Sequence, residues 1–145
     1  MSCECKVVSG QWPVVSGQKK MNGEKKINDY RDLLVWQKGL GLAKQIYQLT
    51  QSFPNEERFG LTSQIRRAAV SVPSNIAEGQ ARSGKKEFIQ FLYIARGSLA
   101  EIDTQCLIAK DLGYLSDKQY EEIYSNIDEL KRMLYSLIDK LGGLR

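Results

Sequence analysis

The chain has 145 residues with a formal net charge of +4; 42% of its residues are hydrophobic and 26% are charged, which suits one folded domain with its own core. It contains no histidine, and its three cysteines, Cys3, Cys5 and Cys106, form no disulfide or metal-binding pattern, so composition disfavours catalysis and a metal site. Because there is no signal pattern and no run of about 18 apolar residues, we expect a soluble, cytoplasmic protein with no membrane contact, no cofactor and no small-molecule substrate.

The first 27 residues have little core-forming pattern, and they carry the pentapeptide VVSGQ at residues 7–11 and again at residues 14–18. A segment of this kind is expected to be disordered. Two interpretations stay open. The segment is either translated sequence upstream of a start at Met21, which we favour, or a basic arm that ends in Lys19, Lys20, Lys25 and Lys26.

Residues 28–145 predict one domain of four amphipathic helices and no strand. In the first helix, two neighbouring apolar stripes form a broad buried face: Trp36, Leu40, Ala43 and Tyr47, and Leu42, Ile46, Leu49 and Phe53. Phe53-Pro54 is expected to end this helix, because the residue before a proline avoids the α region. The second helix is predicted to begin near Leu61 and to stop at residues 79–84, with an apolar side formed by Leu61, Ile65, Ala68, Val72, Ile76 and Gly79.

The third and fourth helices have long and regular apolar stripes. Ser83 is expected to cap the third helix, which ends near Leu112-Gly113 and buries Phe88, Leu92, Ala95, Leu99, Ile102, Cys106 and Ala109. Ser116 and Gln119 have the spacing of a capping box for the fourth helix. That helix closes at Gly142-Gly143, and its heptad predicts a buried seam of Tyr120, Ile123, Ile127, Leu130, Leu134, Leu137 and Leu141.

Four helices joined by short connections are most simply arranged as an all-α, up-down four-helix bundle. Pro73 lies inside the second helix, where it removes one backbone hydrogen bond, frees the carbonyl of Ala69 and costs about 3 kcal/mol if nothing compensates. We therefore predict a proline-kinked second helix in which Ser71, Ser74 and Asn75 can satisfy the freed backbone groups.

Three segments resemble a known family: DLLVWQKG at residues 32–39, QIRRAAVSVPSNIAEGQAR at residues 64–82 and FIQFLYIARGSLAEIDTQ at residues 88–105. They make the chain, over roughly residues 30–141, similar to the four-helix-bundle proteins encoded within intervening sequences of bacterial 23S ribosomal RNA genes. Relatives of that family include the accessory variability protein of diversity-generating retroelements, which forms a pentameric barrel and works with a reverse transcriptase and RNA. The resemblance implies a ring-like or barrel-like homopentamer.

Basic residues concentrate in the middle of the chain: residues 61–97 hold six basic and two acidic side chains, whereas residues 98–145 hold six and nine. Such a separation favours an anionic partner such as nucleic acid, or pairing between opposite patches of neighbouring subunits. The planar fork of arginine suits phosphate, so the candidate nucleic-acid-binding residues are Arg66, Arg67, Arg82, Lys85, Lys86 and Arg96. The retroelement relatives have a strongly basic surface, whereas this chain has an isoelectric point of about 8.9 and an acidic fourth helix, so the resemblance implies RNA binding only weakly.

The motif on the second and third helices also suggests a contact with a second subunit or another partner. The pair Arg66-Arg67 is expected to meet Glu78 or Glu101 across the two helices, and Gly97-Ser98 would let another backbone approach closely. The candidate oligomer or partner interface consists of Ser71, Pro73, Asn75, Glu78, Gly97, Ser98 and Glu101.

Two functions are compatible with these features. The first is a non-enzymatic oligomer that binds RNA or a nucleoprotein partner through a basic surface on the second and third helices. The alternative is a structural assembly or protein–protein interaction module that does not bind nucleic acid directly and whose charges pair between subunits.

Overall fold

The computed structural model of the chain describes residues 29–144, and its regular structure over that range is entirely helical. A short 3-10 turn, Tyr30–Asp32, precedes four helices: α1 (Leu34–Thr50), α2 (Leu61–Ala81), α3 (Lys85–Asp111) and α4 (Asp117–Lys140). The prediction of an all-α fold with four helices and no strand is confirmed for these residues. The predicted tail of residues 1–27, with Cys3 and Cys5, lies outside the described residues.

Each helix packs against the helices before and after it in the chain, and α1 also packs against α4, which closes the bundle. The side-chain contacts show that the neighbours are antiparallel. On α2 and α3, for example, Ser71 meets Ser98, and Gly79, further along α2, lies beside Phe91, earlier on α3. The α1–α2 and α3–α4 connections therefore lie at one end of the bundle, and the α2–α3 connection lies at the other.

The helix ends follow the expected local rules with two differences, one at the start of α3 and one at the end of α1. The Ser116 hydroxyl accepts from the Gln119 backbone N–H at 3.1 Å, and the side-chain oxygen of Gln119 accepts from the Ser116 backbone N–H at 2.9 Å. The capping box of α4 is thus confirmed. The predicted cap at Ser83 is wrong. Gly84 takes the N-cap position in an extended conformation, and because Ser83 precedes it by one residue, its side chain makes no capping hydrogen bond.

The first helix ends at Thr50, three residues before the predicted stop at Phe53. The second helix begins at Leu61 as predicted, and its first amide donates to the carboxylate of Glu57 at 2.9 Å. Glu57 lies four residues upstream of that amide in a separate short turn. A cap from this position cannot be recognised from the usual spacing, because the N-cap residue itself, Gly60, offers no side chain.

The core is a single cluster built from the inward faces of all four helices. Along α4 the fully buried residues are Ile123, Ile127, Leu130, Leu134 and Ile138, whereas the predicted Leu137 and Leu141 are only partly buried. A straight α-helix has 3.6 residues per turn and drifts from a strict heptad, so the buried stripe moves from Leu137 to Ile138 near the end of the helix. On α1, Tyr47 was predicted to lie on the buried face but is 42% exposed, because the buried side of that helix is narrower than two full stripes.

The second helix runs through Pro73 without interruption. Pro73 is buried against α1, where a β-carbon added to Gly39 would lie 3.6 Å from the proline nitrogen and 3.3 Å from the Val72 side chain. The missing side chain of Gly39 therefore lets α1 come close to α2 at the proline. A bend of the helix axis at this position stays a prediction.

Candidate functional site

All the candidate residues lie on α2, on α3 or in the turn between them, and these two helices pack together more extensively than any other pair in the described chain. Two features of this pair are relevant to function. The first is a groove between the helices, and the second is the set of cations around the turn.

The floor of the groove is a chain of hydrogen bonds that joins the two helices. The Asn75 amide nitrogen donates to the Ser71 hydroxyl at 2.9 Å and to the Ser71 carbonyl at 2.7 Å. The Ser71 and Ser98 hydroxyl oxygens are 2.7 Å apart, and the Ser98 hydroxyl donates to the carbonyl of Ile94 at 3.2 Å. Since Ser98 donates to that carbonyl, Ser71 supplies the proton between the two serines. Each hydroxyl then donates once and accepts once, an arrangement in which hydrogen bonds strengthen one another.

Above this floor the two helices leave a groove of about 430 Å³, which we call the α2–α3 groove. Besides Ser71 and Ser98 it is lined by Gln64, Arg67 and Ala68 of α2 and by Ile94, Gly97, Glu101 and Gln105 of α3. Four predicted interface residues therefore line one surface, together with one predicted nucleic-acid-binding residue. Pro73 is not among them, because it is buried on the α1 side of the same helix.

The expected pairing of the QIRR arginines with glutamates across the helices is wrong within one chain. Glu78 pairs with Arg82 on its own helix, at 3.1 Å. Neither Arg67 nor Glu101 forms an ion pair or a hydrogen bond in the part of the chain that the structure describes, and both are exposed. The α2–α3 groove thus carries two opposite charges that have no ion-pair partner among residues 29–144.

Arg66 points the other way and holds α2 against the end of α1. Its Nε donates to the Thr50 hydroxyl at 2.8 Å, one guanidinium nitrogen donates to the Tyr47 carbonyl at 3.4 Å, and the guanidinium lies 4.7 Å from the centre of the Tyr47 ring. Carbonyls at a helix C-terminus lack partners in their own helix and attract a cation. Sequence analysis missed this role because the contacted residues lie 16 and 19 positions away along the chain.

The remaining candidate cations are exposed. Arg82, Lys85 and Lys86 surround the turn that joins α2 to α3, and we call them the α2–α3 turn surface. Arg82 is held by Glu78 and lies 5.4 Å from the Phe91 ring, whereas Lys85 and Lys86 form no ion pair in the described chain. Arg96 lies on α3, about 15 Å from Lys86 at 1.5 Å per residue. The six cations are therefore distributed over separate surfaces.

With this geometry in place, the comparison with known proteins is informative. The family model of the 23S rRNA-intervening sequence protein matches residues 31–136 of the chain. The chain belongs to this family. The matched range contains the α2–α3 groove and the turn surface.

Among solved structures, one that is similar is the crystal structure of a protein with unknown function from the S23 ribosomal protein family of Bacteroides thetaiotaomicron VPI-5482. The two chains are 27% identical with a TM-score of 0.68, and the similarity covers 72% of this chain and 98% of that one. No curated protein matches the chain.

In this member of the 23S rRNA-intervening sequence protein family, three described groups have displaced pKa values. Burial, followed by the charge of Glu57, raises the pKa of Tyr114 in the α3–α4 connection, and the other two groups lie between α3 and α4. Burial, followed by a 2.8 Å hydrogen bond to Asp103, raises the pKa of Tyr120 to about 12. Burial, followed by the charge of Asp103, raises the pKa of Cys106 to about 12. Both groups are thus held neutral, which is the opposite of what a nucleophile requires.

Metal binding and membrane spanning are two further possibilities for the described residues. Residues 29–144 contain no group of three or more acidic, cysteine or histidine side chains placed to hold a metal ion. Over the same residues, none of the helices is sufficiently long and apolar to cross a membrane.

Tyr93 is the nearest aromatic candidate for base stacking. Its hydroxyl donates to the Gly143 carbonyl at 3.2 Å, so this side chain joins the end of the described chain to α3.

Proposed function

We propose that the protein is a non-enzymatic, cytoplasmic homo-oligomer that binds RNA or a nucleoprotein partner through the α2–α3 turn surface. The observation that carries this proposal is the grouping of Arg82, Lys85 and Lys86, all exposed, around one turn. Lys85 and Lys86 have no ion pair in the described chain, so both ammonium groups are available to phosphate. Phosphate contacts of this kind supply most of the affinity of sequence-independent RNA binding.

The position of the two lysines supports a binding role over a stabilising one. They occupy the first two residues of α3, where the helix dipole presents partial positive charge. Cations at this position do not stabilise the helix, but they add to the attraction that a helix N-terminus exerts on an anion.

The opposite end of the bundle has the opposite character. The connections found there and the adjoining helix ends carry six acidic residues against four basic ones: Glu56, Glu57, Asp111, Asp117, Glu121 and Glu122 against Arg58, Arg66, Lys110 and Lys118. An anionic polymer is therefore less attracted to that end than to the turn surface. Membership of the 23S rRNA-intervening sequence protein family supports an RNA partner through the family's description.

The homo-oligomer in this proposal is a ring or barrel of five copies, a number that rests on the resemblance described above. The proposal also includes a bend of α2 at Pro73. The loss of the hydrogen bond to the Ala69 carbonyl supports this bend, since most sharp bends in helices occur at proline.

The experiment is a titration of a fluorescently labelled structured RNA at salt concentrations between about 50 and 200 mM. We expect affinity to fall steeply with salt, and we expect replacement of Arg82, Lys85 and Lys86 by alanine to reduce the slope of log affinity against log salt by about two to three. Arg58→Ala with Lys118→Ala removes cations from the acidic end and serves as the control. Absence of binding at low salt, or a triple variant that binds like the wild type, would refute the RNA-binding proposal.

The alternative is a structural assembly module without direct nucleic-acid binding. It is favoured by Arg67 and Glu101 in the α2–α3 groove, which form no ion pair among the described residues. Light scattering of Arg67→Ala and Glu78→Ala variants distinguishes the two functions. Loss of the oligomer with unchanged RNA affinity in Arg67→Ala would support assembly through this surface. Glu78→Ala reports separately on the ion pair with Arg82 beside the turn.

A further inference from the structure

The outer face of α1 carries a stripe of residues that point away from the core. Gln37, Gly41, Lys44 and Gln48 follow one another at steps of three and four, so they lie along one side of the helix. The last three are exposed. A β-carbon added to Gly41 would have no other described atom within 4 Å, although glycine is unfavourable inside a helix. Packing within the chain therefore does not require this glycine.

A similar stripe on α3 lines the α2–α3 groove. It consists of Ile94, Gly97, Glu101 and Gln105, again at steps of three and four. A β-carbon added to Gly97 would also have no described atom within 4 Å, and Ile94 beside it is 51% exposed. Each stripe thus combines a glycine in open space with polar or charged neighbours, and a small residue permits a close approach by another helix.

Contacts with α2 fix the relative heights of the two stripes along the bundle. Gly39 of α1 lies against Val72 and Pro73 of α2, and Ser71 of α2 meets Ser98 of α3. Because α1 and α3 both run antiparallel to α2, they run parallel to each other. Both stripes are therefore read in the same direction.

The two stripes match position by position. At 1.5 Å per residue, Gly41 lies within about 2 Å of the height of Gly97, and Lys44 lies within about 1 Å of the height of Glu101. Copies of the chain that are related by rotation about an axis parallel to the helices keep every residue at its own height. Such a rotation can place the two glycines together and the two opposite charges together.

We infer that the outer face of α1 of one copy packs into the α2–α3 groove of the next copy. The contact is head to tail, because it joins two different surfaces. Contacts of this type close into rings, including rings of five, whenever the rotation between neighbours allows it. The inference rests on the proposed homo-oligomer and adds the surfaces through which its copies meet.

Charge complementarity identifies a second copy as the occupant of the groove. Glu101 is exposed and forms no ion pair among residues 29–144. The whole of α1 contains two lysines, Lys38 and Lys44, and no acidic residue, so its outer face presents only positive charge. Arg67 lies on the α2 side of the groove, where its long side chain can extend into solvent at the edge of the contact.

The groove also contains an acceptor that the contact would satisfy. The side-chain oxygen of Gln105 is buried without a hydrogen-bond partner among the described residues. A buried acceptor of this kind is rare in folded proteins and costs free energy. Gln48 lies within about 1 Å of the height of Gln105, so the exposed Gln48 amide of the next copy can donate to this oxygen.

The first test is charge reversal, with the mass of the full chain measured by light scattering and sedimentation. Lys44→Glu and Glu101→Lys should each reduce the assembly to single chains of 16.5 kDa, because each places like charges at every contact. The double variant should recover the wild-type mass, because opposite charges face each other again. Arg96→Glu and Glu121→Lys make the same charge changes on exposed residues outside both surfaces and should keep the wild-type mass.

The second test shows whether the contact is head to tail. Gly41→Leu blocks the α1 surface and Gly97→Leu blocks the groove, and the open space at both positions lets each variant fold with an unchanged circular dichroism spectrum. Each variant alone should contain single chains. An equimolar mixture should form pairs and nothing larger, because the intact groove of one variant accepts the intact α1 of the other, while the reverse contact is blocked on both sides.

Three results would overturn the inference: wild-type mass in both charge-reversal variants, a double variant that stays dissociated, or a mixture of the leucine variants that contains only single chains. The proposed homo-oligomer would survive the first of these results with a different contact. A wild type that consists of single chains refutes that homo-oligomer as well as the contact. The salt-dependent RNA titration reports on the turn surface separately, since lost RNA binding with an intact mass refutes only the RNA proposal.

Discussion

Two glycines on the α2–α3 pair provide a matched test of how the helices pack. A β-carbon at Gly79 would lie 2.6 Å from the Phe91 β-carbon and 3.4 Å from the Phe88 carbonyl oxygen. Carbon atoms in favourable contact are about 3.5 to 4.0 Å apart, so Gly79→Ala must push α2 and α3 apart. A β-carbon at Gly97 has no atom within 4 Å. The same substitution therefore meets a steric barrier at one position and open space at the other.

The expected magnitudes follow from two opposing contributions. Replacing glycine by alanine inside a helix stabilises by about 1 kcal/mol at either position. At Gly79 the overpacking of a well-packed contact costs about 2 kcal/mol, so the net loss is about 1 kcal/mol. At Gly97 the gain of about 1 kcal/mol remains. The two variants should thus differ by about 2 kcal/mol in the free energy of unfolding.

The assay is urea unfolding followed by far-ultraviolet circular dichroism, at a protein concentration low enough to keep each variant dissociated. Both curves should keep the wild-type m-value, with midpoints that move in opposite directions. If both variants shift in the same direction, or if Gly79→Ala is the more stable of the two, the close approach of α2 and α3 at Gly79 does not limit packing and our reasoning is wrong.

Three further predictions concern single side chains. Arg66→Ala should lower the free energy of unfolding by about 1 to 2 kcal/mol, because it removes a charged hydrogen bond and a cation–π contact. Arg67→Ala should change that free energy by less than about 0.5 kcal/mol. Urea unfolding of the monomer measures both values. Tyr120 has its pKa raised from 10.0 to about 12 in the folded chain, so its contribution is complete below pH 10.0 and is lost as pH rises toward about 12. Urea midpoints between these pH values should therefore fall more steeply for the wild type than for Tyr120→Phe; equal slopes would contradict the assignment. Cys106 is fully buried and has a pKa raised to about 12. In a variant whose other two cysteines are replaced by serine, iodoacetamide should therefore modify Cys106 only under unfolding conditions. Rapid labelling of the native protein would contradict the burial of this thiol.

Most of the local structure could be predicted because it depends on residues that are close in sequence. The start of α2 at Leu61 and the Ser116–Gln119 capping box depend on neighbours within four positions, and both were predicted correctly. The error at Ser83 has the same local scale, since a competing N-cap lies at the very next residue. The family could also be recognised from the segments on α2 and α3, because they are long and lie in the correct order.

The candidate site was only partly predictable. Periodicity placed Ser71, Asn75 and Ser98 on helix faces, but their hydrogen bonds depend on which turn of α2 meets which turn of α3. The adjacent residues Arg66 and Arg67 show the limit most clearly. One binds the end of α1 and the other faces the groove, although their sequence contexts are almost the same.

The amino-acid sequence by itself determined the four helices and the family, because helical periodicity, caps and motifs are local properties of the chain. Only the tertiary structure decided which charges are satisfied and which are free. It buried Pro73 against α1, and it left Arg67 and Glu101 on opposite sides of a groove without contact. The physical reason is that a charge interacts over a few ångströms in space, and the distance between two residues of different helices is set by packing and not by their separation along the chain.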